Sequence, residues 1–381
     1  MKEFMDKDFL LSNDVAKKLY HDYAENMPIY DYHCHLSPRM IYENYQFSNI
    51  GELMLGGDHY KWRVMLSNGV DEKYIRGDAS WFEKWKAFAG CLKYCIGNPM
   101  YHWTHLELRR VFGITDILNE NTAEDIWNRA NAMLATEEFR CRGLIEKFGV
   151  KVICTTDDPV DDLADHTKIA QDPTCKFKVY PAWRPDKVLN IDRGGFIDYM
   201  NRLSRVSGIH CLNLESMMQA LESRLDYFHA HGARLADHAL DTVSYGVPST
   251  HLAGEAFRKA MSGAPLTEAE IASYKTYLLV ELARMYAAGR SSITSVPCAT
   301  TTRACLSSTA QTSALTPSTT PASRRTSLTC SPTRSVPATC PRPSSTASTR
   351  RITTSSAPCW ATSRATAFRA RFSSAPAGGS A

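Results

Sequence analysis

The chain has 381 residues and a net charge of +4 at pH 7, but this charge averages two parts of very different composition. Residues 291–381 contain ten Arg and no Asp, Glu, Lys or His, so they contribute +10 and leave −6 for residues 1–290. A mildly acidic first part argues against nucleic acid as its partner. The length suits one large α/β barrel or two domains of medium size.

Between residues 27 and 288 the sequence alternates strand patterns with helix patterns. This alternation predicts parallel βαβ units. A long, mostly helical insertion is expected over 37–140, after the first strand. A helix over 264–288 begins with Thr267 and Glu270 at the spacing of a capping box. The predicted strands are MPIYDYHCHL (27–36), VKVICTTDDP (150–159), CKFKVYPAWRPDK (175–187) and ARLADHALD (233–241).

Each predicted strand ends in polar residues that can carry chemistry. Polar groups at the carboxyl ends of successive parallel strands are typical of the functional face of a (β/α)8 barrel. The first part of the chain supplies four or five such strands, whereas a closed barrel needs eight, so we expect an incomplete (β/α)8 barrel. The strand-end residues are His33 and His35, Asp157 and Asp158, Trp183 and Arg184, and Asp237 and His238.

The motif HCH at the end of the first strand predicts a metal site. Alternate residues of a strand point to the same side, so His33 and His35 are expected to face the barrel mouth while Cys34 faces the helices. Two imidazoles on one side can bind one divalent ion. An isolated H-x-H pair is weak evidence, because exposed and core histidines are common. Its place at the end of the first barrel strand strengthens the prediction.

Two further motifs offer candidate substrate contacts, each with a structural alternative. GDHYKWR (57–63) combines His59, Tyr60 and Arg63 near the start of a helix, and the same residues could form an aromatic packing cluster. In AWRPDK, Arg184 at a strand end can bind a carboxylate through two hydrogen bonds. A surface salt bridge is the alternative for this arginine.

Two acidic motifs remain open. In TTDDP (155–159) we favour a helix cap and turn for Asp158. In ADHALD, either Asp237 or His238 could supply a further inward side chain, and a structural hydrogen-bond network is the alternative. These motifs alone therefore leave the metal and substrate ligands incomplete.

Six segments occur in order along the chain: YDYHCHL, GDHYKWR, IGNPMYHWTHLELRRVFGI, TTDDP, WRPDK and DHALD. Together they resemble the uronate isomerase (glucuronate isomerase) family of the amidohydrolase superfamily. The resemblance covers about residue 3 to about residue 287. It implies a metal-dependent (β/α)8 barrel that interconverts D-glucuronate with D-fructuronate and D-galacturonate with D-tagaturonate. It also implies that His33 and His35 bind a divalent metal, with zinc expected, and that His59, Tyr60 and Arg184 contact substrate.

The implied chemistry matches these residue types. Aldose–ketose isomerisation moves a proton between C2 and C1 through an enediol, so it needs a positioned acid or base and stabilisation of the developing oxyanion. Tyr60 or His59 is expected to transfer the proton, and which of them is the base stays open. Arg184 is expected to hold the sugar carboxylate. The alternatives are a metal-dependent hydrolase of the same superfamily and an inactive product with a disordered basic tail.

The expected partner is a small hexuronate, with a homo-oligomer left open and no nucleic acid or membrane. The first residues, MKEFMDKDFLLSNDVAKKLYHDY, are charged and lack the apolar core of a signal peptide. No apolar run approaches the roughly 18–20 residues that a membrane span needs. The twelve Cys show neither a disulfide framework nor a zinc-ribbon spacing. We therefore expect a reduced, cytoplasmic protein.

Residues 288–381 are predicted to be a disordered, low-complexity tail, because Ser, Thr, Ala and Pro bury too little apolar surface to offset the ordering entropy. A linker or an Arg-rich arm for nucleic acid would share this composition, but the arginines are thinly spread. A change of reading frame explains more. With codons offset by one base, VPCATTTRAC (296–305) is compatible with A-M-R-N-N-N-T-R-M, and 309–320 and 359–380 also become family-like.

The frame hypothesis has a functional consequence. It replaces the later barrel strands, including the family's last strand, which the resemblance implies carries an Asp metal ligand and a neighbouring Arg. Two histidines without that carboxylate make an incomplete metal site. We therefore expect the 381-residue chain to fold poorly and to have little or no isomerase activity.

We predict that the coding DNA, read one base over from about codon 287, encodes a C-terminal part like that of glucuronate isomerases. Sequencing the gene around this codon tests the prediction. A single frame whose codons cannot yield the family-like segments would contradict it.

Overall fold

The computed structural model describes residues 4–240 and 245–287, together with the backbone of 294–297. Five short strands in this part of the chain alternate with helices. Within the same residues, no helix is both long and apolar enough to cross a membrane. The strands are β1 (Ile29–Asp31), β2 (Val150–Cys154), β3 (Lys178–Tyr180), β4 (Leu235–His238) and β5 (Thr294–Pro297).

All the strand pairings are parallel. β1, β2 and β3 form one sheet in that order, and β4 pairs with β5. Isolated parallel bridges from Trp183 to Asp157 and to Ala236 join the two sheets just beyond the end of β3. The strands therefore follow one another in chain order, as in a (β/α)8 barrel. The predicted α/β class with parallel strands is confirmed.

Helices fill the long segment between β1 and β2. A short helix, α1 (Asp14–Leu19), and a π-helical turn (Tyr20–Ala24) precede β1. The insertion contains α2 (Pro38–Tyr42), α3 (Ile50–Leu55), α4 (His59–Ser67), α5 (Trp81–Leu92), α6 (Pro99–Phe112), α7 (Ala123–Leu134) and α8 (Cys141–Lys147), with 3₁₀ turns at Glu72–Tyr74 and Glu137–Phe139.

The later helices alternate with the remaining strands. The predicted capping box begins the last of them: Thr267 Oγ1 accepts from Glu270 N, and the Glu270 carboxylate accepts from Thr267 N. The helices are α9 (Ala164–Gln171), α10 (Asp186–Leu189), α11 (Phe196–Ser207), α12 (Leu214–Ala230), α13 (Thr250–Met261) and α14 (Glu268–Met285).

Two clusters of buried apolar side chains form the core. One packs the insertion helices together and against β2, around the fully buried Trp85 and Phe88. The other packs α10 to α14 around Trp183. The centre of the Trp183 ring lies 5.0 Å from the centre of the Phe228 ring. The burial of such aromatic surface dominates the energy of a core. The second cluster therefore anchors Trp183, where the two sheets meet.

Two expectations need correction. The strand predicted over 27–36 pairs only at Ile29–Asp31, although Cys34 N still donates to Cys154 O and keeps the chain beside β2. The disorder predicted for 288–381 does not hold at Thr294–Pro297, whose backbone pairs with β4. An open strand edge binds another backbone with little regard to side chains, so composition gave no signal for this strand. The rest of the predicted tail lies outside the described residues.

A buried ion cluster ties α4 to α6. Lys61 Nζ lies 2.9 Å from Asp58 Oδ2 and 3.2 Å from Glu107 Oε2, and all three side chains are almost fully buried. Burial would lower the pKa of Lys61, but the two carboxylates outweigh burial and raise it. Asp58 also caps α4 by accepting from the backbone N of Tyr60 and Lys61. The cluster thus fixes the start of the helix that carries His59 and Tyr60.

We predict that Lys61→Met lowers the free energy of unfolding by about 3–5 kcal/mol, because it leaves two buried carboxylates without their cation. Urea denaturation followed by Trp fluorescence measures the loss. Lys18→Met, at an exposed position of α1, is the matched control and is expected to change stability by less than about 0.5 kcal/mol. A loss in Lys61→Met no larger than in this control would contradict the prediction.

Candidate active site

The carboxyl ends of the parallel strands gather most of the predicted site residues at one end of the sheet. His33 and His35 follow β1, Thr156 follows β2, Arg184 follows β3, and Asp237 lies within β4. Parallel strands place their carboxyl ends together, which is why residues far apart in sequence can meet here.

The imidazoles of His33 and His35 face one another. Their Nε2 atoms are 3.1 Å apart, and the ring planes cross at 88°. Cys34, between them, is fully buried in the first apolar cluster. The two imidazoles therefore point to the same side, as alternation along the chain predicts, although both lie beyond the last residue of β1.

The second nitrogen of each imidazole has an oxygen partner. His33 Nδ1 lies 2.9 Å from Asp237 Oδ2, and His35 Nδ1 lies 3.0 Å from Thr156 Oγ1. Metal-binding histidines are usually held in this way through their other nitrogen, which fixes the ring orientation. Two nitrogens at the observed separation can both lie at the Zn–N distance of about 2.0–2.1 Å from a single ion. The pair therefore fits two ligands of a divalent metal.

The described residues do not complete a metal site by themselves. No group of three or more His, Cys, Asp or Glu side chains in this part of the chain has an arrangement that could hold a metal ion. The Asp ligand that the resemblance places on the family's last strand has no counterpart among these residues. The two imidazoles are thus oriented toward a common point, and their role as metal ligands stays a prediction.

Asp237 links the histidine pair to Arg184. Arg184 Nη1 lies 3.7 Å from Asp237 Oδ2, and Arg184 Nε donates to Asp186 Oδ2 at 2.7 Å. Burial would raise the pKa of Asp237, but the hydrogen bond from His33 and the charges of His33 and Arg184 outweigh burial and lower it. Asp237 is therefore a carboxylate at neutral pH. The salt-bridge alternative for Arg184 is observed, and a guanidinium has five N–H donors, more than these contacts use.

His59 and Tyr60 begin α4, and their described contacts lie largely within that helix. The His59 ring meets those of Tyr60 and Trp62 at 6.1 and 5.9 Å, and the Arg63 guanidinium lies 5.5 Å from the Tyr60 ring centre. Tyr60 is 53% exposed. The aromatic cluster that the motif allows is thus present. A role for His59 or Tyr60 in binding or catalysis stays a prediction.

The structure separates the residues that the acidic motifs left open. Asp158 accepts from Val160 N and from the Tyr199 hydroxyl, so it stabilises a turn, as favoured from the sequence.

In β4 it is Asp237 that reaches the histidine pair. His238 Nε2 instead lies 3.1 Å from the Tyr286 hydroxyl, and burial lowers the pKa of His238.

A buried network beside the site was not expected from the sequence. Thr155 Oγ1 donates to Asp157 Oδ2 at 2.6 Å and lies 2.8 Å from His166 Nε2, and Ala182 N also donates to Asp157. Burial raises the pKa of Asp157 to about 7 and lowers that of His166 to about 4. The network joins the end of β2 to the end of β3. Thr156, which lies between Thr155 and Asp157 just after β2, was also missed, and the only sequence signal for it is the alternation of side chains along an extended segment.

Comparison with known proteins decides the family. The profile described as glucuronate isomerase matches residues 1–295. The chain belongs to the glucuronate isomerase family. A uronate isomerase of Caldanaerobacter subterraneus subsp. tengcongensis is 51% identical over 287 residues, which are 75% of this chain and 62% of that protein. For a uronate isomerase of Pectobacterium carotovorum subsp. carotovorum the identity is 48% over 288 residues, or 75% of this chain and 61% of that protein.

Solved structures of this family share the fold. The crystal structure of uronate isomerase from Thermotoga maritima matches with a TM-score of 0.71 at 35% identity. The match covers 74% of this chain and 62% of the Thermotoga maritima chain. That of glucuronate isomerase from Caulobacter crescentus has a TM-score of 0.71 at 26% identity and covers 77% and 62%. The chain thus spans about 62% of the length of its glucuronate isomerase relatives.

We predict that the free energy of unfolding of Asp157→Asn, relative to that of the unchanged chain, increases as pH rises. The pKa of Asp157 is about 7 in the folded chain, against an ordinary value of 3.8. A carboxyl with a raised pKa stabilises the folded chain at low pH, and this stabilisation is lost as pH rises from about 4 to about 8. Between pH 5 and pH 8.5 the free energy of unfolding of Asp157→Asn, relative to the unchanged chain, should rise by on the order of 3 kcal/mol.

Urea denaturation at the two pH values measures this change. Asparagine keeps one oxygen as an acceptor for Thr155 and Ala182, so the hydrogen bonds can survive the substitution. Asp198→Asn, at an exposed position of α11, is the matched control. A stability difference for Asp157→Asn that is the same at both pH values would contradict the prediction.

Proposed function

We propose that residues 1–287 carry the first half of a hexuronate aldose–ketose isomerase site. The reaction would interconvert D-glucuronate with D-fructuronate and D-galacturonate with D-tagaturonate. The observation that carries the proposal is the connected group of His33, His35, Asp237 and Arg184 at the carboxyl ends of parallel strands. It joins a pair of imidazoles that would bind a metal to a guanidinium suited to a carboxylate. The uronate isomerases among its relatives support this substrate class.

The imidazole pair would hold the metal. His33 and His35 would bind it through Nε2, because their Nδ1 atoms are occupied by Asp237 and Thr156. A divalent ion there, proposed to be zinc, would act as a Lewis acid toward a substrate oxygen. The Asp237 carboxylate keeps the His33 ring oriented and stabilises positive charge on it.

Arg184 would select sugars that carry a carboxylate. Asp186 and Asp237 hold its guanidinium from two directions, so little rotamer freedom remains to be lost when substrate binds. A guanidinium binds a carboxylate with two parallel hydrogen bonds, and a neutral aldose lacks that partner. The arginine would therefore favour a hexuronate over the corresponding hexose and fix the position of C1 and C2.

The proton transfer is assigned to the start of α4. Tyr60 or His59 would remove the proton from C2 of the aldose and return a proton at C1, through an enediol. The capping of α4 by Asp58, together with the ion pair of Asp58 with Lys61, would keep these side chains at a fixed place. A cytoplasmic location and assembly into a homo-oligomer also remain predictions from the sequence.

We predict that a chimera that joins residues 1–287 to the C-terminal part of the Caldanaerobacter relative isomerises D-glucuronate, whereas the 381-residue chain has little or no activity. The chimera restores the remaining strands and with them the third metal ligand. Replacing His33 and His35 by Ala in the chimera should lower kcat/KM about 100-fold or more, since a Lewis acid contributes several kcal/mol. Formation of fructuronate and the bound metal per chain are measured together.

The control is Lys18→Met in the same chimera, which should keep both activity and metal. Turnover that survives the double alanine substitution would rule out the proposed metal site. Hydrolysis of ester or amide substrates without isomerisation would favour the metal-dependent hydrolase instead. High isomerase activity of the 381-residue chain would show that the remaining strands are not needed.

A further inference from the structure

We propose that Asp186 is a positioning residue that decides how Arg184 binds the sugar carboxylate. Asp186 occupies Nε of the guanidinium, so the carboxylate binds end-on, through Nη1 and Nη2. The inference rests on the proposed function, because it concerns the same arginine. It adds the geometry of binding and the residue that sets this geometry.

A guanidinium can bind a carboxylate along either of two edges. Its five N–H donors lie in one plane, and two parallel hydrogen bonds form either side-on, from Nε and Nη2, or end-on, from Nη1 and Nη2. The two edges point in different directions. The edge that is used therefore decides the direction in which the rest of the sugar extends from Arg184.

The Nε donor of Arg184 is already used within the chain. It donates to Asp186 Oδ2 at 2.7 Å, a distance typical of a hydrogen bond between charged groups. Pro185 lies between the two residues, and its ring restricts the backbone that joins them. The side-on edge is thus closed by a neighbour that is only two positions away in the sequence.

Asp186 is itself held by the end of another strand. Its second oxygen, Oδ1, accepts from Ala239 N at 3.0 Å, and Ala239 directly follows β4. Asp186 is also the first residue of α10. If the carboxylate turned away from Arg184, it would lose its bond to the end of β4 as well. Asp186 therefore fixes the guanidinium relative to the strand that carries Asp237.

The end-on edge is open in the described part of the chain. Nη1 lies 3.7 Å from Asp237 Oδ2, which is an ion-pair contact and too long for a hydrogen bond. Neither Nη atom donates a hydrogen bond to another described residue. The side chain of Arg184 is 25% exposed, so a small acid can reach it. The donors left for a sugar carboxylate are those of Nη1 and Nη2.

The direction of these donors, and not the net charge, has to carry the recognition. The carboxylates of Asp186 and Asp237 outnumber the one guanidinium, so a substrate acid gains little from the summed charge of the three groups. If Asp186 acted through its charge alone, it would repel the substrate. A role in positioning therefore predicts weaker binding when the Asp186 carboxylate is displaced with its charge intact.

A crystal structure with D-glucuronate shows the binding edge directly. We would use the chimera of residues 1–287 with the C-terminal part of the Caldanaerobacter relative. Isomerisation alters C1 and C2 only, so substrate and product present the same carboxylate. We expect its two oxygens within about 3 Å of Nη1 and Nη2, with Nε still bonded to Asp186. A carboxylate bound to Nε would overturn the inference.

The kinetics of the same chimera test the role of Asp186. Asp186→Glu keeps the charge but moves the carboxylate by one methylene group. The KM for D-glucuronate should rise about 3–10-fold, with kcat within about twofold, because the substrate then has to order a less constrained guanidinium. Asp198→Glu, at an exposed position in the first turn of α11, is the matched control and should change neither constant. An unchanged KM in Asp186→Glu would contradict a positioning role.

A double-mutant cycle separates positioning from a general structural effect. In the Arg184→Gln chimera there is no guanidinium to position, so Asp186→Glu should change kcat/KM by less than about twofold. The same loss in both backgrounds would show that Asp186 supports only the structure, and would overturn the inference. If the Arg184→Gln chimera turns over too slowly, its affinity for D-glucuronate, measured by calorimetry, takes the place of kcat/KM.

The outcomes separate this inference from the proposed function. An active chimera that binds the carboxylate side-on, or whose KM does not respond to Asp186→Glu, would overturn this inference alone. A chimera that neither binds nor isomerises D-glucuronate would overturn the proposed function, and this inference with it. If Asp186→Glu does not fold, Asp186→Asn takes its place, since a role through charge predicts a lower KM and a positioning role predicts a higher one.

Discussion

The site depends on the curvature of the parallel sheet. His33 follows the first strand and Asp237 lies in the fourth, yet their side chains meet at 2.9 Å. In a flat sheet, three spacings of about 4.8 Å would separate these strands by roughly 14 Å. The contact therefore requires the sheet to curl, as a barrel does. The bridges at Trp183 make this possible, since they join β4 to the strands that precede it.

A single carboxylate serves both halves of the proposed chemistry. Asp237 contacts the His33 imidazole, proposed to bind the metal, and lies beside the Arg184 guanidinium, proposed to bind the substrate. A substrate carboxylate brought to Arg184 would add negative charge near Asp237, and a divalent ion at the imidazole pair would offset it. In the proposed site, metal and sugar acid would thus be electrostatically coupled through one residue. This coupling is an argument for binding both ligands in one site.

The sequence predicted which of these side chains lie together where local spacing decides the placement. The pair His33 and His35 follows from alternation, and Arg184 follows from its place at a strand end. Choosing Asp237 over its neighbour His238 required the register of β4, which one sequence does not give. Thr156 was missed because a Thr in TTDDP has the same appearance as a helix cap. Sequence reasoning could not place the residues whose contacts join segments that are distant in the sequence.

The fold shows the same division. Strand order, the helical insertion and the capping box of α14 follow from patterns of a few residues. The buried ion pair of Lys61 with Glu107 joins residues that are 46 positions apart, so no local sequence pattern predicts it. β1 is shorter than its composition indicates, because the extent of pairing depends on the partner strand. β5 is the opposite case, where main-chain pairing occurs in a segment whose side chains predict none.

The placement of the insertion affects how the chain folds during synthesis. β1 pairs with β2 at Ile29 and Val150, so the first strand waits for its partner while about 120 residues are translated. At roughly 5–20 residues per second this delay lasts about 6–24 s on the ribosome. The insertion helices, with their own apolar cluster, emerge during that interval and can collapse first. The nascent barrel would then assemble against a helical body that is already formed.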